Sequence, residues 1–493
     1  MLAAQSFRSL PSYKSFKSSK SHVSSDVLSD SDFEFCLSEV FKRYNCPVAV
    51  VVGKEYIIRG DRKGLKTRES KLKYRRITAP PVIPDASSIQ TFYGPEEGIT
   101  LELIAKYDHG HLIELKISDF KKIIIPGISL KLLGLIIKNY TQLNKFTIKN
   151  SYIDKYAVLE IGKILNRSTI TELCLDDCPL HEANYEILLG QRNSCLKALS
   201  LCRCRINDEM CKRLAAKLHF REHAEHCLVT LSLSSNDISD AGAIYFAEAL
   251  RSNRHLRYLN LADNSISDEG ASHLLNKLVK FPLTDAEDRA RRHRHMIYLR
   301  MKHKLYLECL RNMEVSSAAP SIHTRRSTSS KQRAGTSRKS ISHVKRKSFQ
   351  KIEHEKSTTN EENMNMKADL IARQLAGPFL DPFCPSSIKI EDGIPYCVGN
   401  FVLCYLNIAY NDLTYFSITK LLSVVEYQHV HLQSDDCGLM RVLVYGNPLP
   451  TKCVELANVQ KLLNDNMSRA QHKLRATSKI SKTSKSELVL LSK

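Results

Sequence analysis

One register of apolar residues constrains this chain more than any other feature. The stretch Leu228-Val-Thr-Leu231-Ser-Leu233-Ser-Ser-Asn236-Asp-Ile238 returns 28 residues later as Leu256-Arg-Tyr-Leu259-Asn-Leu261-Ala-Asp-Asn264-Ser-Ile266. Both fit L-x-x-L-x-L-x-x-N-x-I, and both continue through Ile-Ser-Asp into Gly242-Ala or Gly270-Ala and an amphipathic helical stretch. Further copies start at Ile170 and Leu196, weaker ones at Leu112 and Leu143, and two more at Leu403 and Leu439. The eight starts are spaced 31, 27, 26, 32, 28, 147 and 36 residues apart. Repeats at such a period are stacked units, none of which can bury its apolar face alone.

The chemistry of each position follows from that stacking. The fourth and sixth residues point inward from a short strand. The ninth sits where the chain leaves the strand, and its side chain must satisfy backbone groups stranded in the turn. Asn does so as donor and acceptor, and Cys does so as a weak donor that tolerates burial. Cys178, Cys204, Asn236, Asn264, Asn411 and Asn447 occupy this position and are expected to form a structural ladder. The pattern resembles the ribonuclease-inhibitor type of leucine-rich repeat. That resemblance implies an α/β leucine-rich repeat solenoid with a parallel concave sheet and convex helices.

The frame also names candidate contact residues. Outward strand positions hold Tyr258 and Asn260, then Tyr405, Asn407 and Tyr410, then Arg441 and Tyr445. If the repeat at Leu403 stacks directly on that at Leu256, four tyrosines converge on one surface. Tyr and Arg are enriched at binding hot spots, so a protein partner on the concave face is expected.

The wide interval after Leu256 holds one repeat and an insertion of about 120 residues. The insertion starts with a capping box, Thr284 and Glu287, and acids in a first helical turn. No acid follows between Arg289 and Leu307. Arg291, Arg292 and Arg294 are expected on a solvent-facing basic side. Ile297, Met301 and Leu305, four apart, are expected to cap the first repeat block. A Ser-rich linker follows, with 11 Lys or Arg between His323 and Lys356 against Glu353 and Glu355. It has too little apolar surface to fold. Ser327, Ser340 and Ser348 follow basic runs and are candidate phosphorylation sites.

This divides the chain into a disordered, Ser-rich then basic region over 1–90, a repeat block over 91–282, and a basic helix over 283–312. A disordered basic linker over 313–366, a second repeat block over 367–460 and a basic tail over 461–493 follow. The 493 residues carry 73 Lys+Arg and 52 Asp+Glu, a net charge of +21. Yet 143–280 hold 18 basic and 17 acidic residues, so the excess lies in the appendages. Basic appendages suit an acidic protein surface, nucleic acid or anionic lipid. No apolar run approaches the roughly 20 residues of a membrane span.

No phosphate loop, dinucleotide fingerprint or nucleophile elbow is present, and no catalytic constellation emerges. Seven cysteines lie between Cys174 and Cys227. Their spacings are not the paired C-x₂-C of zinc sites, so structural cysteines are expected, with neither metal nor cofactor. Fifteen scattered cysteines without an apolar leader suit a reducing compartment. The first 25 residues, with four basic residues and no acid, fit a Ser-rich tail and share the composition of a mitochondrial presequence.

Three segments carry a closer resemblance. They are Tyr93-Gly-Pro-Glu-Glu-Gly98-Ile-Thr-Leu-Glu-Leu103, the run from Leu278 to Glu287, and the run from Gly393 to Asn411 continuing to Tyr427-Gln428. Their order and content resemble the family of leucine-rich repeat-containing protein 71. The resemblance covers roughly 91–310 and 388–450. It implies a non-enzymatic protein of the cytoplasm, set in motile cilia or sperm flagella, whose basic arms meet acidic tubulin surfaces. It transfers no catalytic residue. The composition leaves a second expectation open: a nuclear or cytosolic binder of a GTPase or nucleic acid.

Overall fold

The computed structural model describes residues 32–57, 99–180, 184–318, 363–432, 437–450 and 452–470. Ten strands form one sheet. They are β1 (Ala49–Tyr56), β2 (Thr100–Asp108), β3 (His111–Ser118), β4 (Lys145–Lys149), β5 (Glu172–Cys174), β6 (Ala198–Ser200), β7 (Thr230–Ser232), β8 (Tyr258–Asn260), β12 (Tyr405–Asn407) and β13 (Arg441–Leu443), in that spatial order. All neighbours pair in parallel except β2 and β3, an antiparallel hairpin turned at His109-Gly110.

The leucine register explains the sheet. Leu199 and Leu201, Leu231 and Leu233, and Leu259 and Leu261 are fully buried. They meet the buried sides of α2 (Gly127–Ile137), α3 (Lys155–Leu165), α4 (Glu186–Leu189), α5 (Asp208–Ala216), α6 (Asp240–Ser252) and α7 (Asp268–Asn276) in one apolar core. A polar residue starts most helices by accepting a backbone N–H: Asp154 for α3, Asn207 for α5, Ser239 for α6 and Ser267 for α7.

The repeat at Leu403 does stack on that at Leu256, with Tyr405 opposite Tyr258 and Leu406 opposite Leu259. The insertion leaves after Lys277 and returns at Asn400, whose N–H donates to Lys277 O at 2.9 Å. Gly399 makes this pinch possible. Its φ is +114°, and a Cβ there would lie 2.9 Å from the Leu278 and Val279 carbonyl oxygens.

Five expectations need correction. The region 1–90 is not wholly outside the fold. Helix α1 (Asp32–Arg43) and β1 join the core through Phe33, Leu37, Phe41, Val48 and Val52. The i, i+4, i+8 spacing of the first three marks an amphipathic helix. The copy at Leu112 is the second strand of the hairpin, so the sheet is not parallel throughout. The basic helix, α8, runs Asp285–Ala318, past 312. It does not cap the first block, because β12 pairs directly with β8; Ile297 and Met301 are 50% and 44% exposed.

Finally, 367–460 is not repeat throughout. A helix over 363–376 (α9) runs antiparallel to α8, with Tyr298 bonded to Gly377 O and Tyr306 to Asn365. The strands β10 (Ile388–Glu391) and β11 (Ile394–Cys397) then build a separate antiparallel sheet on β9 (Phe281–Pro282). Helix α10 (Tyr415–His431) and a helix over 454–470 (α11) complete the repeat side. Ser327, Ser340 and Ser348, most of the linker and the tail beyond 470 lie outside the described residues.

Candidate functional site: the open face of the sheet

Strand register sorts the outward side chains into rows. One row runs Glu114, Lys145, Glu172, Ala198, Thr230, Tyr258, Tyr405, Arg441 from strand to strand. The next runs Lys116, Thr147, Cys174, Ser200, Ser232, Asn260, Asn407, Leu443. The face is thus charged at β3–β5, small and hydroxyl-bearing at β6–β7, and aromatic at β8, β12 and β13. Strands β1 to β7 line an open cleft of about 500 Å³ on this face.

The charged part is internally paired. Glu114 lies 3.3 Å from Lys145 and 3.8 Å from Lys106. Asp176 takes Lys149 at 3.3 Å, Ser200 Oγ at 2.6 Å and the Cys202 N–H at 3.1 Å. Burial opposes ionisation of Asp176, but hydrogen bonds from Cys174, Ser200 and Cys202 outweigh it and hold the carboxyl below its usual range. Burial and this carboxylate push the Cys174 thiol up to about 12. It stays protonated at neutral pH and is no ready nucleophile. Among the described residues, no three His, Cys, Asp or Glu side chains are placed to hold a metal ion.

At the aromatic end, Tyr258 and Tyr405 stack with centroids 4.1 Å apart and planes 10° apart. The Arg441 guanidinium lies 5.8 Å from the Tyr405 ring. Tyr410 and Tyr445 meet edge to face at 5.3 Å, and Tyr445 is 45% exposed. Gly446, at φ +77°, admits the Tyr410 ring where a Cβ would collide with it. Each aromatic contact adds about 0.5–1.5 kcal/mol beyond buried area, so the cluster is held in shape before any partner arrives.

Asn260 and Asn407 lie in an outward row but are largely covered. Both are only 8% exposed. Asn260 donates to Ser232 Oγ at 2.9 Å and accepts from the Ala262 N–H, while Asn407 accepts from the Ala409 N–H. The basic helix is also less free than its sequence suggests. Arg294 pairs with the buried carboxylate of Asp381 and lies 4.9 Å over the Phe220 ring. Arg291 is held by Asp288 at 2.6 Å. Arg292 touches the same carboxylate but keeps 70% of its side chain exposed.

The ninth-position residues hydrogen-bond from repeat to repeat. Asn236 donates to Leu201 O and Leu233 O and accepts from the Cys204 and Ile206 N–H groups. Asn264 accepts from the Asn236 and Ile238 N–H groups, Asn411 from Ile266, and Asn447 from Asn411 and Leu413. The Cys204 thiol donates to Leu175 O at 3.0 Å and that of Cys178 to Ile148 O at 3.5 Å. Burial pushes the Cys178 thiol up to about 12, which keeps its proton in place.

Two further ladders escaped the sequence reading. Asp208 accepts from the Ser239 N–H, the Ser239 hydroxyl and the Gly242 N–H of the next repeat. Asp240 does the same for Ser267 and Gly270, and Asp268 for Thr414 and Ser417. The repeated Ser-Asp-x-Gly was the available signal. At the strand entrances, Asn253, Asn400 and Gln428 serve similarly: Asn253 accepts from Leu256 N, Asn400 from Leu403 N and Gln428 from Leu439 N. Asn400 also donates to Leu250 O and Asn253 O, and so carries that ladder across the insertion.

A family model described as leucine rich repeat matches residues 225–247 and 252–275. Each matched stretch holds a strand, its ninth-position Asn and most of the helix that follows. No described helix is long and apolar enough to cross a membrane. The chain is built on leucine-rich repeats in an α/β arrangement, a kind of repeat whose extended surfaces serve in protein interaction.

Proposed function

We propose that this chain is a non-enzymatic scaffold whose repeats form a curved solenoid and hold a protein partner on the open face of the sheet. The aromatic end supplies the anchor, and the small residues of β6 and β7 let a partner's backbone approach. The observation that carries this reading is the stack of Tyr258, Tyr405 and Arg441 beside the exposed Tyr445. Such rigid aromatic groups lose little entropy on binding, and hot spots are built from them. The test compares proteins co-purifying with the full chain and with a Tyr405→Ser, Arg441→Glu, Tyr445→Ser variant of unchanged melting temperature. Selective loss of a partner supports the reading, and an identical set overturns it.

A setting in motile cilia or sperm flagella is supported by the resemblance over 91–310 and 388–450. Basic appendages facing acidic tubulin surfaces would suit that setting. Immunolocalisation to the flagellum and salt-sensitive co-sedimentation with microtubules are the expected results. Exclusively nuclear staining would replace this setting with regulation of a nuclear partner.

A further inference from the structure

The ten-stranded sheet begins with an open edge. Strand β1 holds the first position and pairs only with β2. The Ala49 N–H donates to Ile99 O and the Ile57 N–H to Tyr107 O, so the odd-numbered residues of β1 turn their backbone groups to β2. The N–H and C=O groups of Val50, Val52, Lys54 and Tyr56 point the other way, and no described residue bonds them. Helix α1 does not take that place. It packs on the core side of β1, where Phe33, Leu37 and Phe41 join Val52 and Glu34 pairs with Lys54 at 3.1 Å. β1 is eight residues long, contains no proline, and leaves Val51 and Tyr56 56% and 65% exposed. At the other edge β13 has only three residues. A long, apolar, unpaired edge strand is a template for another strand.

We propose that the strand added here is β1 of a second copy of this chain, running antiparallel about a two-fold axis at Gly53. This goes beyond the open-face reading and does not depend on it. Symmetry narrows the register. Both copies offer the same even-numbered groups, so even-numbered residues must face even-numbered ones. An axis at Gly53 sets Val50 against Tyr56 and Val52 against Lys54, each pair bonded twice, for about eight hydrogen bonds between the copies. An axis at Val52 or Lys54 leaves about six, and the latter sets Lys54 against itself. Odd-numbered residues form the closer pairs, with Cα atoms about 4.5 Å apart. Glycine then meets glycine at the axis, and Val51 meets Glu55. Tyr56 beside Val50 is a favourable aromatic and β-branched pair, and no like charges lie directly opposite. A strongly charged strand from another protein gains nothing here, because Lys54 and Glu55 cancel and Lys54 is already paired with Glu34.

The test is sedimentation equilibrium of the full-length chain from about 1 to about 100 µM. The buffer holds about 0.3 M salt, which screens the repulsion between two copies of net charge +21. A reversible monomer–dimer equilibrium is expected. Lys54→Pro removes one outward N–H, leaves the bonds to β2 in place, and should weaken dimerisation about tenfold or more. Val51→Glu sets a carboxylate against Glu55 of the second copy and should weaken it similarly. Val51→Lys faces the same carboxylate with a cation and should leave the dimer at least as strong. Each variant is chosen for an unchanged melting temperature. A chain that stays monomeric at the highest concentration overturns the proposal, whatever else pairs with this edge. So does a dimer that Lys54→Pro and Val51→Glu leave as strong as the parent's, or one that Val51→Lys weakens as much as Val51→Glu does.

Discussion

Replacing Asn264 with alanine isolates the ladder from the rest of the repeat. Its amide oxygen accepts the Asn236 and Ile238 N–H groups, each at 3.2 Å. Its NH₂ reaches Leu233 O, Leu261 O and Ala262 O at 3.0–3.2 Å. Those three carbonyls keep other donors: Asn236 Nδ2, Asn411 Nδ2 and the Ser235 N–H. The loss therefore falls on the two N–H groups. They are partly buried, so water replaces some of the bond, and each costs about 1 kcal/mol, the low end for a stranded donor. The expected destabilisation is about 2 kcal/mol, read by urea denaturation followed by circular dichroism. Asn264→Asp keeps the acceptor but faces a carboxylate toward three carbonyls, which raises its native pKa above the unfolded value. Its penalty grows as pH rises through that interval and vanishes in acid. An alanine variant as stable as the parent, or an aspartate variant whose penalty ignores pH, would refute the ladder.

Three further outcomes follow from the same geometry. Hydrogen bonds from Ser417 and Thr414 outweigh the burial of Asp268 and lower its pKa, so its stabilisation is present above the unfolded value and lost as pH falls through the folded one. The stability gap between the parent and Asp268→Asn should close in acid; a gap independent of pH would count against this carboxylate. Gly399→Ala should cost about 2 kcal/mol or more, from its positive φ and a clash with the Val279 backbone, and an unchanged melting curve would contradict the pinch. Arg294→Ala strips a partner from the buried Asp381 carboxylate, at about 2–4 kcal/mol, though Asp381 still accepts the Phe383 N–H. Amide exchange should then quicken in 363–399 and not in β5–β8; uniform quickening would mean that the insertion and the repeats unfold together.

The leucine register alone determined strands β4 to β8, β12 and β13, their inward residues and the ladder positions, because a strand alternates its side chains and a repeat must bury its apolar face on its neighbour. It aligned Tyr405 with Tyr258 in the frame, but only the folded chain set the two repeats side by side across the insertion. Composition misled where burial depends on partners far along the chain. Arg294 reads as a solvated cation, yet Asp381, 87 residues away, and Phe220 enclose it. Asn260 and Asn407 read as free contacts, yet their amide oxygens accept backbone N–H groups of their own repeats and Asn260 also holds Ser232. Residues 32–57 read as part of a polar arm, yet Phe33, Leu37 and Phe41 close the end of the core. Local period fixes which way a side chain points from its own element. Only the folded chain decides whether something else is already there to meet it.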